Sequence, residues 1–317
     1  MSIHKPVRFI TVTADSAGQR LDNFLLSELK TVPKSRIYRI IRKGEVRVNK
    51  GRCKPLYRLQ VGDQVRIPPV VQAESTPVFI PDYWLHQLKA AIIHEDDDVI
   101  ILNKPAGLAV HSGSGVAFGV IDILRQAHQP GWEHLSLVHR LDRATSGCLL
   151  IAKQRQSLLS LQQQLTTHTL KKYYRAWLCG KIPYQQREIT VPLADQHSPD
   201  GERRVVADAQ GKSAYTMLKV RQVKTLSIEQ QFIDLTEVDV MIKTGRTHQI
   251  RVHTAYIDYP VLGDAKYGNS VLNQRVHKLF DASPLFLHAH RLQFSLSQQA
   301  YDVSAPVPAY FEFIHKQ

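Results

Sequence analysis

The segment HRLDRATSG, at residues 139–147, brings an acid, two arginines and a turn together in one short stretch. Its aspartate, Asp142, lies between Arg140 and Arg143, and neighbouring guanidinium groups favour the ionised form of a carboxyl group. The turn leads into the apolar run CLLIA at 148–152, which predicts a buried strand. We therefore expect Asp142 on a loop at a strand edge, where reactive groups are commonly presented. From these residues alone, an ordinary surface ion pair is an equally good explanation.

The composition is that of a soluble globular protein. The chain has 317 residues, 43% hydrophobic and 22% charged, which suggests about two domains. No apolar run approaches the ~20 residues that span a bilayer, and the first residues lack the apolar core of a signal peptide. Three cysteines without a CxxC pair indicate reduced thiols, not a disulfide framework or a zinc site. We therefore expect a cytoplasmic protein that does not associate with membranes.

Positive charge is concentrated near the N-terminus. Residues 1–70 contain 15 Lys/Arg and 5 Asp/Glu, so they carry +10 of the total net charge of +13. A basic module beside a nearly neutral one is typical of polyanion binding. Nucleic acid is the expected partner, and a merely soluble basic protein is the alternative.

Hydrophobic spacing predicts two short helices in this basic segment. Apolar residues at 21, 24, 25 and 29 indicate the first helix, and those at 37, 40 and 41 indicate the second, which ends near Gly44. A half-buried strand at 45–49 and a turn at 62–63 follow. The outward-facing basic residues expected to contact the partner are Arg36, Arg39, Arg42, Lys43 and Arg47.

This stretch resembles the S4-type RNA-binding domain. The resemblance rests on RLDNFL at 20–25, SR at 35–36, GEVRVN at 44–49 and VGD at 61–63. We assign residues 1–70 to an S4-like domain, 71–88 to a stiff proline-rich linker, and 89–317 to a second domain.

The pattern of the second domain predicts the α+β class. Strands are expected at 98–103, 173–179, 188–193, 214–223 and 232–242, with a helix near 157–165. Runs of strands separated by single helices do not follow strict βαβ alternation.

Four segments in order resemble the RluA-type pseudouridine synthase family: NKPAG at 103–107, HRLDRATSG at 139–147, KYYRA at 172–176 and GRTHQIRVH at 245–253. With LGDAKYG at 262–268 and FLHA at 286–289, the resemblance covers almost the whole chain. It implies a catalytic domain with a central mixed, mainly antiparallel sheet flanked by helices and loops. It also implies isomerisation of uridine to pseudouridine, and the S4-like domain points to 23S ribosomal RNA as the substrate.

The resemblance also implies roles for individual residues. Asp142 matches the family's catalytic aspartate, Arg251 the arginine that pairs with it, and Tyr174 the tyrosine that stacks on the target base. Arg140 would fill the space left by the flipped-out uridine, or would form a salt bridge with Asp142. The order of steps at Asp142 stays open between attack on the sugar, attack on C6 and removal of the C2′ proton.

Other residues are expected to support the site without taking part in the chemistry. His139 is interpreted as a structural histidine and not as a base. His248 and His253 are interpreted in the same way, although their position beside Arg246 and Arg251 permits RNA contact. The supporting residues are Lys104, Pro105, His139, Thr145 and Gly147.

The implied reaction needs no redox step, metal or energy donor, so no metal and no other cofactor are expected. The expected substrate is 23S rRNA, free or in a large-subunit assembly intermediate, and the expected protein is a monomer. The main alternative is a non-catalytic RNA-binding ribosome-assembly factor, although the positions of Asp142, Tyr174 and Arg251 are all filled. A hydrolase built on His139, Asp142 and Ser146 is disfavoured because no nucleophile elbow surrounds the serine.

Overall fold

The structure is a computed structural model that describes residues 2–13, 16–29, 31–73, 79–113, 115–132, 134–197, 203–228, 230–280 and 284–316. The chain forms two compact units, Met1–Phe79 and Ile80–Gln317, here called the N-terminal and C-terminal units. Across the described ranges, no helix is long and apolar enough to cross a bilayer.

The N-terminal unit contains the two predicted helices and five short strands. Leu21, Leu25, Ile37 and Ile40 of the helices are fully buried, as their spacing predicted. The second helix stops before Gly44, whose φ of +71° is favourable mainly for glycine. The elements are β1 (Ser2–Lys5), β2 (Arg8–Thr11), α1 (Leu21–Glu28), α2 (Lys34–Arg42), β3 (Arg47–Val48), β4 (Gln64–Ile67) and β5 (Val70–Ala73).

Antiparallel pairing joins these strands into two small sheets. β2, β4 and β3 form a three-stranded sheet, and β1 pairs with β5. The predicted strand at 45–49 is shorter than expected and covers only Arg47–Val48. The segment 71–88, predicted as a linker, has secondary structure at both ends. Strand β5 extends to Ala73, and a helix begins at Asp82.

The C-terminal unit is built on one large sheet. Its elements are α3 (Asp82–Ala90), β6 (Ile92–Glu95), β7 (Val99–Lys104), α4 (Val120–Gln126), β8 (Ser136–Leu137), β9 (Ser146–Ala152), α5 (Arg155–Thr166), β10 (Lys171–Cys179), β11 (Gln186–Ile189), β12 (Leu193–His197), β13 (Arg203–Ala207), β14 (Thr216–Ile228), β15 (Gln231–Ile242), α6 (Gln249–Tyr256), α7 (Ser270–His277), β16 (Leu287–Leu296), β17 (Gln299–Ser304) and α8 (Ala309–Lys316).

The sheet has ten strands and is mainly antiparallel. Eight run in the order β11-β14-β15-β10-β16-β9-β7-β6, with β17 beside β16 and β8 beside β9. The one parallel pair among the described strands of this sheet is β9 with β16, which aligns Ser146 with His288 and Gly147 with Ala289. The predicted mixed, mainly antiparallel sheet is confirmed.

Gly147 is required by this parallel pairing. Its φ is +106°, and a Cβ atom there would lie 2.3 Å from the carbonyl oxygen of Ala289. Only glycine allows so close an approach of two backbones. The end of the HRLDRATSG segment is therefore fixed against the centre of the sheet.

One predicted strand is wrong. The run at 188–193 divides into β11, which ends at Ile189 and pairs with β14, and β12, which begins at Leu193 and pairs with β13. Pro192 stands between them and cannot donate a hydrogen bond to a strand ladder. The chain therefore leaves the large sheet and forms a separate hairpin.

Candidate active site

Asp142 lies where sequence reasoning placed it, on the loop between β8 and β9. The loop opens onto a cavity of about 660 Å³ in the C-terminal unit. Three further segments line this cavity: the end of α5, the start of β10, and residues 242–251 at the junction of β15 and α6. Motifs separated by more than a hundred residues thus meet at one site.

The Asp142 loop is tightly held. The backbone N–H of Thr145 donates to the carbonyl oxygen of Asp142 at 3.1 Å. The fully buried Lys104 amine donates to the carbonyl oxygens of Pro105, Leu108 and Arg143, the last at 3.2 Å. Burial lowers the pKa of Lys104 to about 7, although the charge of Asp142 opposes this shift. The lysine therefore joins the end of β7 to the loop that carries the acid.

Arg251, in the first turn of α6, connects two carboxylates. Its Nη1 donates to Oδ2 of Asp142 at 3.1 Å, while Nε and Nη2 donate to the two carboxylate oxygens of Asp264 at 2.7 and 2.8 Å. Burial lowers the pKa of Arg251, but the contacts with Asp264 and then Asp142 outweigh it and raise that pKa overall. The predicted pairing of Arg251 with Asp142 is present, and a bidentate contact fixes the direction of the guanidinium group.

Asp264 is a site residue that sequence reasoning missed. It is 1% exposed, and Oδ1 also accepts backbone N–H groups from Lys266 and Tyr267. Burial raises the pKa of Asp264, but Arg251 and these amides hold the pKa below its usual value. The only signal in the sequence was its place in the LGDAKYG segment, to which we gave no role.

Tyr174 faces the cavity from β10, and its neighbour Tyr173 faces away. The Tyr174 ring is 7% exposed and lies in the cavity wall with Asp142. Burial raises the pKa of its hydroxyl group, and the charge of Asp142 raises it further, so the phenol is neutral at physiological pH. The Tyr173 hydroxyl instead donates to Gln293 on β16 at 3.1 Å.

His248 completes the wall beside the acid. It adopts a left-handed φ of +53° immediately before α6. Its Nε2 lies 3.8 Å from Oδ2 of Asp142, and its Nδ1 lies 2.9 Å from the hydroxyl oxygen of Tyr267. Burial lowers the pKa of His248 more than the nearby Asp142 raises it. His248 therefore lies closer to the acid than its interpretation as a supporting histidine suggested.

The two arginines beside Asp142 in the sequence point to different places. Arg140 is exposed and lines the cavity. Among the described residues it forms no salt bridge, so the alternative of an Arg140–Asp142 pair is absent. Arg143 turns away, and its Nε donates to the carbonyl oxygen of Gly107 at 2.8 Å.

His139 has a structural environment. Its Nε2 accepts the backbone N–H of Leu150 at 3.1 Å, and burial lowers its pKa to about 4. Ser146 approaches a different histidine, because its hydroxyl group lies 2.9 Å from Nδ1 of the buried His288. The arrangement that a hydrolase would need is therefore not formed by His139 and Ser146.

Among the residues described, no group of three His, Cys, Asp or Glu side chains could hold a metal ion.

The five basic residues predicted to contact RNA all lie in the N-terminal unit, outside the cavity. Four are exposed and Arg36 is partly buried; the exposed ones are Arg39, Arg42, Lys43 and Arg47.

Comparison with known proteins identifies the family to which this chain belongs. A family model described as "RNA pseudouridylate synthase" matches residues 98–256, and one described as "S4 domain" matches residues 19–65. The chain belongs to the RNA pseudouridylate synthase family and carries an S4 domain.

Individual relatives narrow the comparison. The "Ribosomal large subunit pseudouridine synthase C" of Haemophilus influenzae is 48% identical over 294 residues, which cover 92% of this chain and 88% of the relative. The protein of the same name from Escherichia coli K12 is 45% identical over 292 residues, which cover 91% of this chain and 89% of the relative.

A solved structure supports the fold. "Human RNA Pseudouridylate Synthase Domain Containing 4" superposes with a TM-score of 0.58 at 24% identity, over 73% of this chain and 94% of that one.

Proposed function

We propose that this protein isomerises uridine to pseudouridine in 23S rRNA of the large ribosomal subunit. The observation that carries the proposal is the Asp142 carboxylate, hydrogen-bonded to Arg251 in a cavity that Tyr174 also lines. The relatives that match over nine tenths of the chain have names that describe this activity on the large subunit. A non-catalytic assembly factor has no need for a carboxylate held in this way and is not favoured.

The reaction redistributes bonds within one nucleotide. The C1′–N1 bond breaks, the uracil rotates, C5 bonds to C1′, the C5 proton leaves, and N1 gains a proton. Asp142 supplies the nucleophile or base for this sequence, and Arg251 directs its carboxylate. In this proposal, Tyr174 stacks on the uracil. Because nothing is oxidised or reduced, we include no cofactor.

Lys104, Pro105, His139, Thr145 and Gly147 complete the proposed site as supporting residues that hold the Asp142 loop. We further propose that the protein acts as a cytoplasmic monomer on free rRNA or on an assembly intermediate. Pseudouridine mapping in 23S rRNA from cells lacking the gene tests the activity directly. Missing pseudouridines restored by the purified protein are expected, and an unchanged map would refute the proposal.

Arg140 is proposed to occupy the stack after the target base leaves it. We expect Arg140→Ala to lower kcat/KM on structured rRNA by about 10- to 100-fold, because extruding a stacked base costs a few kcal/mol. The loss should shrink on a substrate whose target uridine is already unpaired. Arg143→Ala is the matched comparison, since that side chain contacts Gly107 and its effect should not depend on pairing. An Arg140→Ala defect of equal size on both substrates would contradict this role.

The basic surface of α2 is proposed to bind rRNA phosphates. For the double variant Arg39→Gln with Arg42→Gln, we expect weaker rRNA binding. The slope of log K against log salt concentration should become shallower by roughly 0.7 to 1 per lost phosphate contact. Filter binding at several salt concentrations measures both quantities. The control places Gln at Lys181 and Arg187, two exposed basic residues of the C-terminal unit. Equal slopes for the two variants would exclude this surface from the interface.

A further inference from the structure

We propose that His248 is a further substrate-contacting residue, which donates a hydrogen bond from Nε2 to an oxygen next to C1′ of the target nucleotide. The candidate acceptors are the uracil O2 and the ribose 2′-oxygen. This inference rests on the proposed function, because it adds a contact to that same reaction.

The position of His248 supports a contact with substrate. Its side chain is 22% exposed at the cavity, and Nε2 lies 3.8 Å from Oδ2 of Asp142. That separation exceeds a hydrogen bond, whereas Nη1 of Arg251 donates to the same oxygen at 3.1 Å. Nε2 therefore lies beside the carboxylate without forming a hydrogen bond to it. A nucleotide placed for reaction at Asp142 brings its C1′ substituents within reach of this nitrogen.

The hydrogen bonds of Tyr267 favour the tautomer of His248 that carries its hydrogen on Nε2. The Tyr267 hydroxyl oxygen accepts the backbone N–H of Val205 at 3.1 Å. Its own hydrogen is therefore available for Nδ1 of His248, 2.9 Å away. An imidazole that accepts at Nδ1 carries its hydrogen on Nε2 when neutral. The low pKa of His248, caused first by burial, keeps the ring in this neutral form.

The imidazole is held on the same framework as the catalytic acid. The backbone N–H of Tyr267 donates to Oδ1 of Asp264. The centre of the Tyr267 ring lies 5.2 Å from the Arg251 guanidinium. His248 also keeps a left-handed φ of +53°, which is uncommon outside glycine and clusters at functional sites. These contacts fix the direction of Nε2 relative to Asp142.

A donor at this place has a clear chemical use. When the C1′–N1 bond breaks, its electron pair stays on the uracil, and negative charge spreads onto the ring oxygens. A preorganised N–H group at O2 stabilises that charge more strongly than it stabilises the neutral base. A donor at the 2′-oxygen would instead hold the ribose in the reactive orientation.

The first test replaces the ring and keeps the backbone conformation. Asn tolerates positive φ and can still contact Tyr267, but its side chain is too short to donate at the Nε2 position. We expect His248→Asn to lower kcat by about 10²-fold with rRNA affinity nearly unchanged. His248→Gln, which can present an N–H near the Nε2 position, should recover a large part of the rate. The matched control is His128→Asn, at an exposed histidine with φ of +45° outside the cavity.

The second test identifies the acceptor. Substrates carry 2-thiouridine or 2′-deoxyuridine at the target position, and each is assayed with wild type and with His248→Asn. The defect of the variant should largely disappear on the substrate that lacks the contacted oxygen. A defect of equal size on both modified substrates would overturn the inference.

A third measurement does not depend on activity. Nitrogen NMR of histidine-labelled protein should show His248 protonated at Nε2 and unprotonated at Nδ1, and the opposite tautomer would overturn the inference. Wild-type protein without turnover on 23S rRNA refutes the proposed function. Wild-type turnover with an unimpaired His248→Asn variant refutes only the role of His248.

Discussion

Asp142→Asn should lower the rate of pseudouridine formation by at least about 10⁴-fold, the scale seen when an enzyme loses an essential group of its catalytic machinery. The amide has nearly the shape of the carboxylate, but it is neither a nucleophile nor a base. Arg251 keeps its two hydrogen bonds to Asp264, so the cavity should retain its shape. We therefore expect rRNA affinity within about threefold of wild type, since phosphate contacts dominate binding.

Single-turnover assays with excess enzyme separate the chemical step from binding. Asp97→Asn is the matched control, because Asp97 is exposed and lies outside the cavity. Asp142→Ala guards against slow conversion of the new amide back to the acid. Turnover above about one hundredth of wild type in both Asp142 variants would contradict the assignment of this residue as nucleophile or base.

The sequence predicted local structure well where one stretch of chain carries the signal. The spacing of Leu21, Leu25 and Ile37 predicted α1 and α2, because one face of each helix must be buried. The apolar run after Gly147 predicted β9, which the structure extends to 146–152. The position of Asp142 was predicted from the same stretch, since a turn before a buried strand places this residue on a loop.

Predictions failed where a long-range pairing decides. The composition at 188–193 suits one strand, yet its two halves pair with different partners, β14 and β13.

The residues that hold Arg251 and His248 in position were not predicted for the same reason. Asp264 and Tyr267 follow Arg251 by more than a dozen residues, and Val205 precedes it by a larger distance. Nothing in their local patterns shows that they converge on one guanidinium and one imidazole. Asp264, to which the sequence assigned no role, is the principal partner of a buried arginine.

Arg251→Met should destabilise the protein by about 3–5 kcal/mol, the usual cost of breaking a buried ion pair. The substitution leaves the Asp264 carboxylate, 1% exposed, without its countercharge. Urea unfolding measures the change. Arg203→Met is the matched control, since Arg203 pairs with Asp195 on the surface and exposed pairs contribute less than about 1 kcal/mol.

The pH dependence of this loss has a defined sign. In wild type the pKa of Asp264 is below its usual value, so the stability from its ionised form is present at neutral pH and is lost as pH falls through the folded-state pKa. In Arg251→Met, burial without a countercharge raises the pKa of Asp264, so protonation at low pH relieves the penalty. The difference in unfolding free energy between the two proteins should therefore shrink as the pH is lowered from 7 towards 4.

The double variant Arg251→Met with Asp264→Asn separates stability from catalysis. Neutralising both partners removes the buried unpaired charge, so most of the lost stability should return. Pseudouridine formation should stay as low as in Arg251→Met, because neither variant can direct the Asp142 carboxylate. Recovery of activity together with stability would show that Arg251 acts only through the fold, and that the directing role proposed for it at Asp142 is wrong.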